Sequence, residues 1–215
     1  MILTKQDIQR LDKLRRSNLI NSVTGIKPAN LIGTLSRAGI PNLAIFSSVM
    51  HIGSNPALIG FILRPKNEVA RHTWENIEQT GCYSINHVHR KFAENAHFTS
   101  AKFDNGVSEF EQCHLTEQYI DKFEAPFVNE SDIKIGLQFK DAIPIELNDT
   151  TLVIGEVQHL IVPDHALDDG WQCDLASVDG MGISGLNGYY ALSKVAHYPY
   201  ARPGALPDFK FKPIK

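Results

Sequence analysis

Hydrophobic and polar positions alternate in short stretches along most of this chain, and turn residues separate the stretches. This period of two predicts β-strands. The predicted strands cover residues 31–36, 43–49, 57–64, 82–88, 133–139, 143–147 and 151–162. The stretch 57–63 is almost continuously apolar, which predicts burial on both faces, and Gly60 within it indicates a close neighbour. Turns are predicted at 39–41, 53–56 and 148–149.

Helical patterns are short and few. An amphipathic helix is predicted at the N-terminus, with Thr4 as its cap and Asp7 three residues later. A second helix follows the third strand, with Thr73 as its N-cap and Gly81 at its end. A third is predicted at 91–98, whereas 99–129 is predicted to form loops with helical turns.

The strand pattern determines the predicted fold class. Many short strands with only short helices between them argue against a doubly wound parallel sheet. The prediction is a mainly β protein built on a closed or partly split antiparallel barrel, because closure removes exposed strand edges. A length of 215 residues favours one domain, 1–215, with a core at about 25–162 and an extended tail at 163–215.

Composition narrows the class of partner and the compartment. The formal net charge is −3 and no basic run stands out, so neither a nucleic acid nor a membrane is an expected partner. No apolar stretch approaches the roughly 18 residues of a membrane span. The first residues are too charged for a secretory signal, and three widely spaced cysteines form no CxxC pair. We therefore expect reduced thiols and a cytoplasmic protein.

Three local motifs have better structural than functional interpretations. GMGISG at 180–185 matches GxGxxG, but neither a good strand before it nor a βαβ unit after it is indicated, so a flexible loop is predicted. His87 and His89 could form a metal pair, yet no third ligand is suitably spaced, and surface or loop positions are favoured. Cys113 and His114 are adjacent, and adjacent side chains seldom face each other. No metal site and no certain catalytic residue are predicted.

A stronger set of polar residues lies between Asn42 and Asn86. Ser47 and Ser48 end an apolar strand, Arg64 ends the next strand, and Thr73 and Asn76 begin a helix. A guanidinium, hydroxyls and a helix N-terminus together suit a phosphate monoester. Each residue also has an ordinary interpretation, such as a surface ion pair for Arg64 or a cap for Thr73.

The order of these pieces resembles the flavin reductase-like family. PNLAIFSS at 41–48 and GSNPALIG at 53–60 are similar to the family's N-L-A-x-x-S and S-x-D-P-P-L. Arg64, HTWENI at 72–77 and GCYSIN at 81–86 are similar to its R, D-T-x-x-N-I and G-x-F-x-V-N. LVIGEV at 152–157 resembles a late barrel strand of the family.

The resemblance implies a split β-barrel of Greek-key type with short peripheral helices, a homodimer, and FMN at the subunit interface. It implies that 42–49, including Asn42 and Ala44, lines the isoalloxazine largely through backbone groups, with Ser47 and Ser48 near the ring or ribityl chain. Arg64, Thr73 and Asn76 would hold the ribityl phosphate. The tail residues Asn187, Tyr189 and Tyr190 could close over the flavin.

The implied activity is electron transfer from NAD(P)H to flavin. Two departures from the family pattern bear on it: NDTT at 148–151 stands where many members have G-D-H-T, and His72 replaces an acid. The first removes an imidazole associated with the nicotinamide. Two alternatives therefore stay open, an FMN-holding electron-transfer protein with a redox protein partner and an oxygen-dependent flavoenzyme.

Overall fold

The computed structural model describes residues 1–65, 72–104 and 106–207. In these residues a seven-stranded antiparallel sheet has the order β3-β2-β6-β9-β10-β5-β4. Small sheets of the orders β1-β11-β12 and β7-β8 lie beside it. The strands are β1 Lys27–Pro28, β2 Asn30–Leu35, β3 Pro41–Phe46, β4 Met50–Ser54, β5 Ala57–Leu63, β6 Cys82–His87, β7 Glu117–Ile120, β8 Phe123–Val128, β9 Lys134–Ile145, β10 Thr150–Ile161, β11 Met181–Ser184 and β12 Gly188–Ala191.

The helices are short and peripheral. They are α1 Lys5–Arg10, α2 Lys13–Val23, α3 His72–Thr80, α4 Ala93–Phe98 and α5 Glu109–Gln112, with 3₁₀ turns at Arg90–Phe92, Asp164–Ala166 and Pro203–Ala205. The mainly β prediction is confirmed, because the large antiparallel sheet dominates and the helices only flank it.

The large sheet curls until strands that are not neighbours in it come into contact. The ring of Phe46 on β3 packs edge-on against Phe61 on β5, with 5.0 Å between centroids. Just beyond β3, the Ser48 hydroxyl donates to the carbonyl of Ile62 on β5 and accepts from its N–H, both at 3.1 Å. These contacts close part of the barrel, whereas β3 and β4 remain the two edges of the sheet.

Two hydrophobic clusters share the sheet. Alternate residues of β5 and β6 point into the barrel, where they form a core with members such as Phe61, Tyr83 and Ile85. On the other side of β2 and β3, a cluster including Leu31, Leu43 and helix residues of 92–115 covers the outer face. The sheet is therefore buried on both faces at β2 and β3.

Several sequence predictions need correction. The predicted strands 133–139 and 143–147 form one strand, β9, which bends at an irregularity opposite Ile154 and Gly155 instead of turning. The segment 99–129, predicted as loops, contains α5, β7 and β8. β4 was missed because its residues overlap the turn signal at 53–56. In β5, predicted to be buried on both faces, several residues are only partly covered.

The N-terminus also differs from its prediction. The Thr4–Asp7 capping box forms, but α1 ends at Arg10 and Asp12 caps a separate helix, α2. No residue of either helix is buried, and Leu14 is 69% exposed, so the predicted apolar stripe does not pack against the core. The amphipathic pattern was a local signal, and none of these residues belongs to a hydrophobic core cluster of the described chain.

The observed bounds of α3 and β11 change the interpretation of two sequence motifs. Helix α3 begins at His72, so Thr73 lies inside its first turn and is not the N-cap. The GMGISG segment is not a loop: Met181–Ser184 is strand β11, which pairs with β1 and β12. Gly185 follows with φ of +64° in the turn to β12, and no helix follows it there.

Candidate functional site

Three of the predicted site residues meet in a buried polar cluster beneath α3. The Asn42 side-chain amide donates to Thr34 Oγ1 and to Thr73 Oγ1, each at 3.2 Å. The Asn76 amide donates to the same Thr34 oxygen at 3.0 Å. All four residues are buried, so these bonds satisfy donors that would otherwise be costly. The cluster joins α3 to the β2–β3 hairpin.

The carbonyl oxygens of the same two amides have different surroundings. Oδ1 of Asn42 and of Asn76 accepts no hydrogen bond from the described chain, and neither atom is sealed from solvent. Both residues line an open cleft of about 490 Å³ between the β2–β3 turn and α3, which Arg37 and His72 also border. The cleft therefore offers acceptors at its floor, is bordered by the Arg37 guanidinium as well as by the Glu75 carboxylate, and is in the size range of small-ligand sites.

The outer edge of β3 carries a second set of candidate groups. Every residue of β3 has a partner on β2, but backbone groups in an antiparallel ladder point alternately toward and away from the neighbouring strand. The N–H of Leu43 points away from β2, since it donates to Glu109 Oε2 at 2.9 Å. The outward positions are thus Pro41, Leu43 and Ile45. Pro41 has no N–H and that of Leu43 is occupied, whereas that of Ile45 has no acceptor among the described residues. One open backbone donor remains near the end of this edge, at Ile45.

The other predicted residues lie on β3 or just beyond the ends of β3 and β5. Ala44 is on β3 and pairs with Ile32, while Ser47 is half-buried just after the strand. The Ser48 hydroxyl is engaged with the backbone of Ile62, as described above. Arg64 is exposed and lies two residues beyond Ile62. The predicted phosphate region continues into 66–71, which lies outside the described residues.

Tyr189 lies on a different element from the other predicted residues, on β12, where it packs against the outer core cluster. Its hydroxyl lies 3.2 Å from Nδ1 of His97, and burial raises the pKa of Tyr189 to about 12. His97 was not singled out from the sequence, because a lone histidine in a short helix carries no pattern. Tyr190, the next residue, is 51% exposed.

The remaining candidates are the two histidines around β6 and the neighbouring Cys113 and His114. His89 is buried, contrary to the favoured surface position, and lies 3.8 Å from both Asp132 and Asp179. Burial lowers the pKa of His87 to about 4, so this side chain is neutral at pH 7. In the described parts of the chain, no three His, Cys, Asp or Glu side chains are placed to hold a metal ion. Cys113 is buried while His114 is exposed, so the two do not form a pair.

Glu109 is the site residue that sequence reasoning missed. It is 5% exposed and approaches β3 from α5, 66 residues away along the chain. Burial raises the pKa of Glu109, while hydrogen bonds from the Leu43 and Glu109 N–H groups and the nearby His72 act in the opposite direction. The only sequence signal was an acidic residue beside an apolar one in a segment predicted as loop.

Comparison with known proteins agrees with this geometry. Residues 26–176 match the model of the flavin reductase like domain. A crystal structure assigned as a flavin reductase with a split barrel domain, from Shewanella frigidimarina NCIMB 400, is 46% identical with a TM-score of 0.90 and covers 94% of this chain and 100% of its own. The fold is therefore that of the split-barrel flavin reductases. This chain belongs to the flavin reductase-like family.

Two more distant structures share the fold. Nitrilotriacetate monooxygenase component B from Bacillus cereus is 18% identical, has a TM-score of 0.81 and covers 92% of this chain and 98% of its own. Flavoredoxin of Desulfovibrio vulgaris (Miyazaki F) is 23% identical, has a TM-score of 0.71 and covers 84% and 93%. Among the described helices, none is long and apolar enough to cross a bilayer.

Proposed function

We propose that this protein binds FMN and passes electrons from NAD(P)H to flavin. The observation that carries the proposal is the single open N–H at Ile45 on an edge strand whose other outward positions are closed. A flavin presents ring acceptors that suit a backbone donor of this kind. The split-barrel family relationship supports the flavin as the ligand.

The surrounding residues fit a flavin mononucleotide. Arg64 supplies a guanidinium for the phosphate, and Thr73 and Asn76 lie in the first turn and a half of α3, where unpaired N–H groups favour an anion. Asn42 and Ala44 lie on the strand that carries the Ile45 donor, and Ser47 comes directly after it. Ser48 contributes indirectly, since its hydroxyl fastens the end of this segment to β5. When bound, the flavin supplies the hydride-accepting and electron-storing chemistry, and the protein supplies position and hydrogen bonds.

The environment of Thr150 favours the two alternatives to electron transfer from NAD(P)H, an electron-transfer protein and an oxygen-dependent flavoenzyme. This residue stands where many family members have a histidine, and its hydroxyl donates to Asn148 Oδ1 at 2.7 Å within the β9–β10 turn. It therefore offers neither a free donor nor a ring for a nicotinamide. An FMN-holding electron-transfer protein acting with a redox protein, as the name flavoredoxin of one structural relative suggests, is the second candidate. An oxygen-dependent flavoenzyme is the third.

The test is NADH and NADPH oxidation by the FMN-loaded protein, with and without added free FMN, under air and anaerobically. The proposal expects reduction of bound flavin by at least one nucleotide and turnover of added flavin. Reduction of bound flavin without turnover would favour the electron-transfer protein. Dependence on oxygen and a further small molecule would favour the third candidate, and no FMN binding would overturn all three.

We also propose a homodimer formed through the outer face of β4, β5, β9 and β10. The core-facing residues of β5 are Ile59, Phe61 and Leu63, so the alternate residues point outward. A Cβ at Gly60 would lie 2.7 Å from Ile52 Cδ1 and 3.0 Å from Leu152 Cδ1, which shows how closely this apolar face is packed. Its exposed side chains include Met50 at 41%, Ile52 at 39% and Ile143 at 45%.

Such a contiguous apolar face indicates a protein interface. Because Arg64 comes just after β5, two residues beyond Ile62, a second copy on this face would border the proposed phosphate site.

The three cysteines are free thiols, two of them buried, which is consistent with the cytoplasmic location we propose.

A further inference from the structure

We propose that Glu109 is a positioning residue for the flavin: it restricts the β3 edge to the Ile45 donor and lowers the reduction potential of the flavin held there. This inference rests on the proposed function. It concerns the only carboxylate that contacts the outward backbone of β3 in the described chain.

The first step is the occupancy of the edge. An edge strand offers a row of outward N–H groups that accept any suitable partner in several registers. On β3, Pro41 removes the first donor and Glu109 occupies the second, at Leu43. A ligand that needs a donor from this edge is therefore directed to Ile45. Without the carboxylate, the Leu43 N–H would offer a competing register about 7 Å away along the strand.

The second step is how α5, which carries the Glu109 contact with Leu43, is held in place. Glu109 begins α5, and the next residue, Phe110, is 1% exposed in the outer core cluster together with Leu43 and Leu115. The helix is thus anchored to the same cluster as the strand that it contacts. The backbone that carries the Glu109 carboxylate is therefore held beside β3.

The third step is the charge. No Lys or Arg of the described chain forms an ion pair with Glu109, although the residue is 5% exposed. Burying a carboxylate that is hydrogen-bonded but not ion-paired is costly, and an amide would accept the same N–H without that cost. The hydrogen bond from the Leu43 N–H and the nearby His72 both favour the ionised form of Glu109, and the ionised carboxylate acts on any nearby group that gains electrons. It disfavours the reduced, more negative form of a flavin at Ile45.

The test compares E109Q with E111Q in the FMN-loaded protein. Both changes replace one acidic side chain of α5 by an amide, but the Glu111 side chain is exposed and forms no hydrogen bond or ion pair with β3 among the described residues. The measurements are the midpoint potential of bound FMN by anaerobic titration and the Kd of oxidised FMN by fluorescence quenching. We expect E109Q to favour the reduced flavin by about tenfold, a rise of about 30 mV for two electrons, with E111Q unchanged.

A second measurement needs no variant. In amide hydrogen exchange of the wild-type protein, Leu43 should be protected before FMN is added, and Ile45 should become protected only afterwards. Equal potentials in E109Q and E111Q, or an Ile45 amide that FMN leaves unprotected, would overturn the inference while leaving FMN binding intact. Absence of FMN binding by the wild type would instead overturn the proposed function, and this inference with it.

Discussion

The two edges of the large sheet, β3 and β4, solve the problem of unpaired backbone groups in opposite ways. β3 is flanked by α5 and carries Pro41 and the Glu109 contact, so that its outward donors are reduced to one. β4 is short, has an irregular register with β5 between His51 and Gly53, and leaves Met50 and Ile52 exposed. We have proposed that the first edge binds a small ligand, whereas the second is blunted by its short, irregular strand and lies on the face proposed for self-association.

The two edges are also held by different kinds of contact, polar near β3 and apolar near β4. Near β3, the side chains of Thr34, Asn42, Thr73 and Asn76 form a network that fixes the hairpin to α3. Near β4, the described contacts are side-chain packing around Gly60. We therefore expect substitutions near β3 to alter ligand binding and local stability, and substitutions near β4 to alter assembly.

The largest effect is expected at β4. Ile52→Lys places a charge in the proposed interface, and loss of a central contact there should weaken self-association by about a hundredfold, about 3 kcal/mol. Light scattering of the FMN-loaded protein at micromolar concentration should show a dimer for wild type and a monomer for the variant. Tyr119→Lys, an exposed change on β7, is the control. A wild-type monomer, or an unchanged dimer in I52K, would contradict the assignment of this face.

The next effect concerns the phosphate. Arg64→Ala should weaken FMN binding by about ten- to a hundredfold, because one charge-assisted hydrogen bond is worth about 1.5–3 kcal/mol. Riboflavin, which has no phosphate, should lose little affinity. Fluorescence titration with both flavins measures the difference, and Arg90→Ala supplies an exposed control on another element. Equal losses for the two flavins would place Arg64 away from the phosphate.

A third prediction tests the polar network beside β3. Thr34→Val keeps the shape of the side chain but removes the oxygen that accepts from both Asn42 and Asn76. Leaving buried donors unsatisfied should lower the free energy of unfolding by about 1–3 kcal/mol. Urea denaturation measures it, with the exposed Thr24→Val as control. A stability equal to that of wild type would mean that the network does not hold the β3 edge.

The smallest effect is the pH dependence of Glu109. Burial raises the pKa of this carboxyl in the folded state above its ordinary value of 4.5. The folded protein then binds the proton more tightly than the unfolded chain, so stability is lost as pH rises through the raised pKa. E109Q should therefore be slightly more stable than wild type at pH 7, and the advantage should disappear below pH 4.5. Thermal unfolding of both proteins between pH 4 and 8 measures this difference. If the carboxylate were a net stabiliser, E109Q would be less stable than wild type at pH 7.

Local sequence patterns determined a large part of this protein. The strand pattern located β2, β3, β5, β6 and β10 and, as two pieces, β9, although it missed β4. The order of short motifs around Asn42, Arg64 and Thr73 indicated the family that comparison then showed. Both kinds of signal depend on neighbouring residues alone. The Thr4–Asp7 capping box is predictable for the same reason, because its two partners are three residues apart.

Other features were decided only by the tertiary structure. Nothing in the sequence near Leu43 indicates that Glu109, 66 residues away, would occupy its N–H, because that contact depends on how α5 packs against the outer cluster. The same holds for Thr34, which meets Asn76 only after α3 has packed over the hairpin. Alternation along a strand shows which side chains share a face. Which strand lies at an edge, and which of its backbone groups stay open, follows from pairings between distant segments, and these two facts define the site.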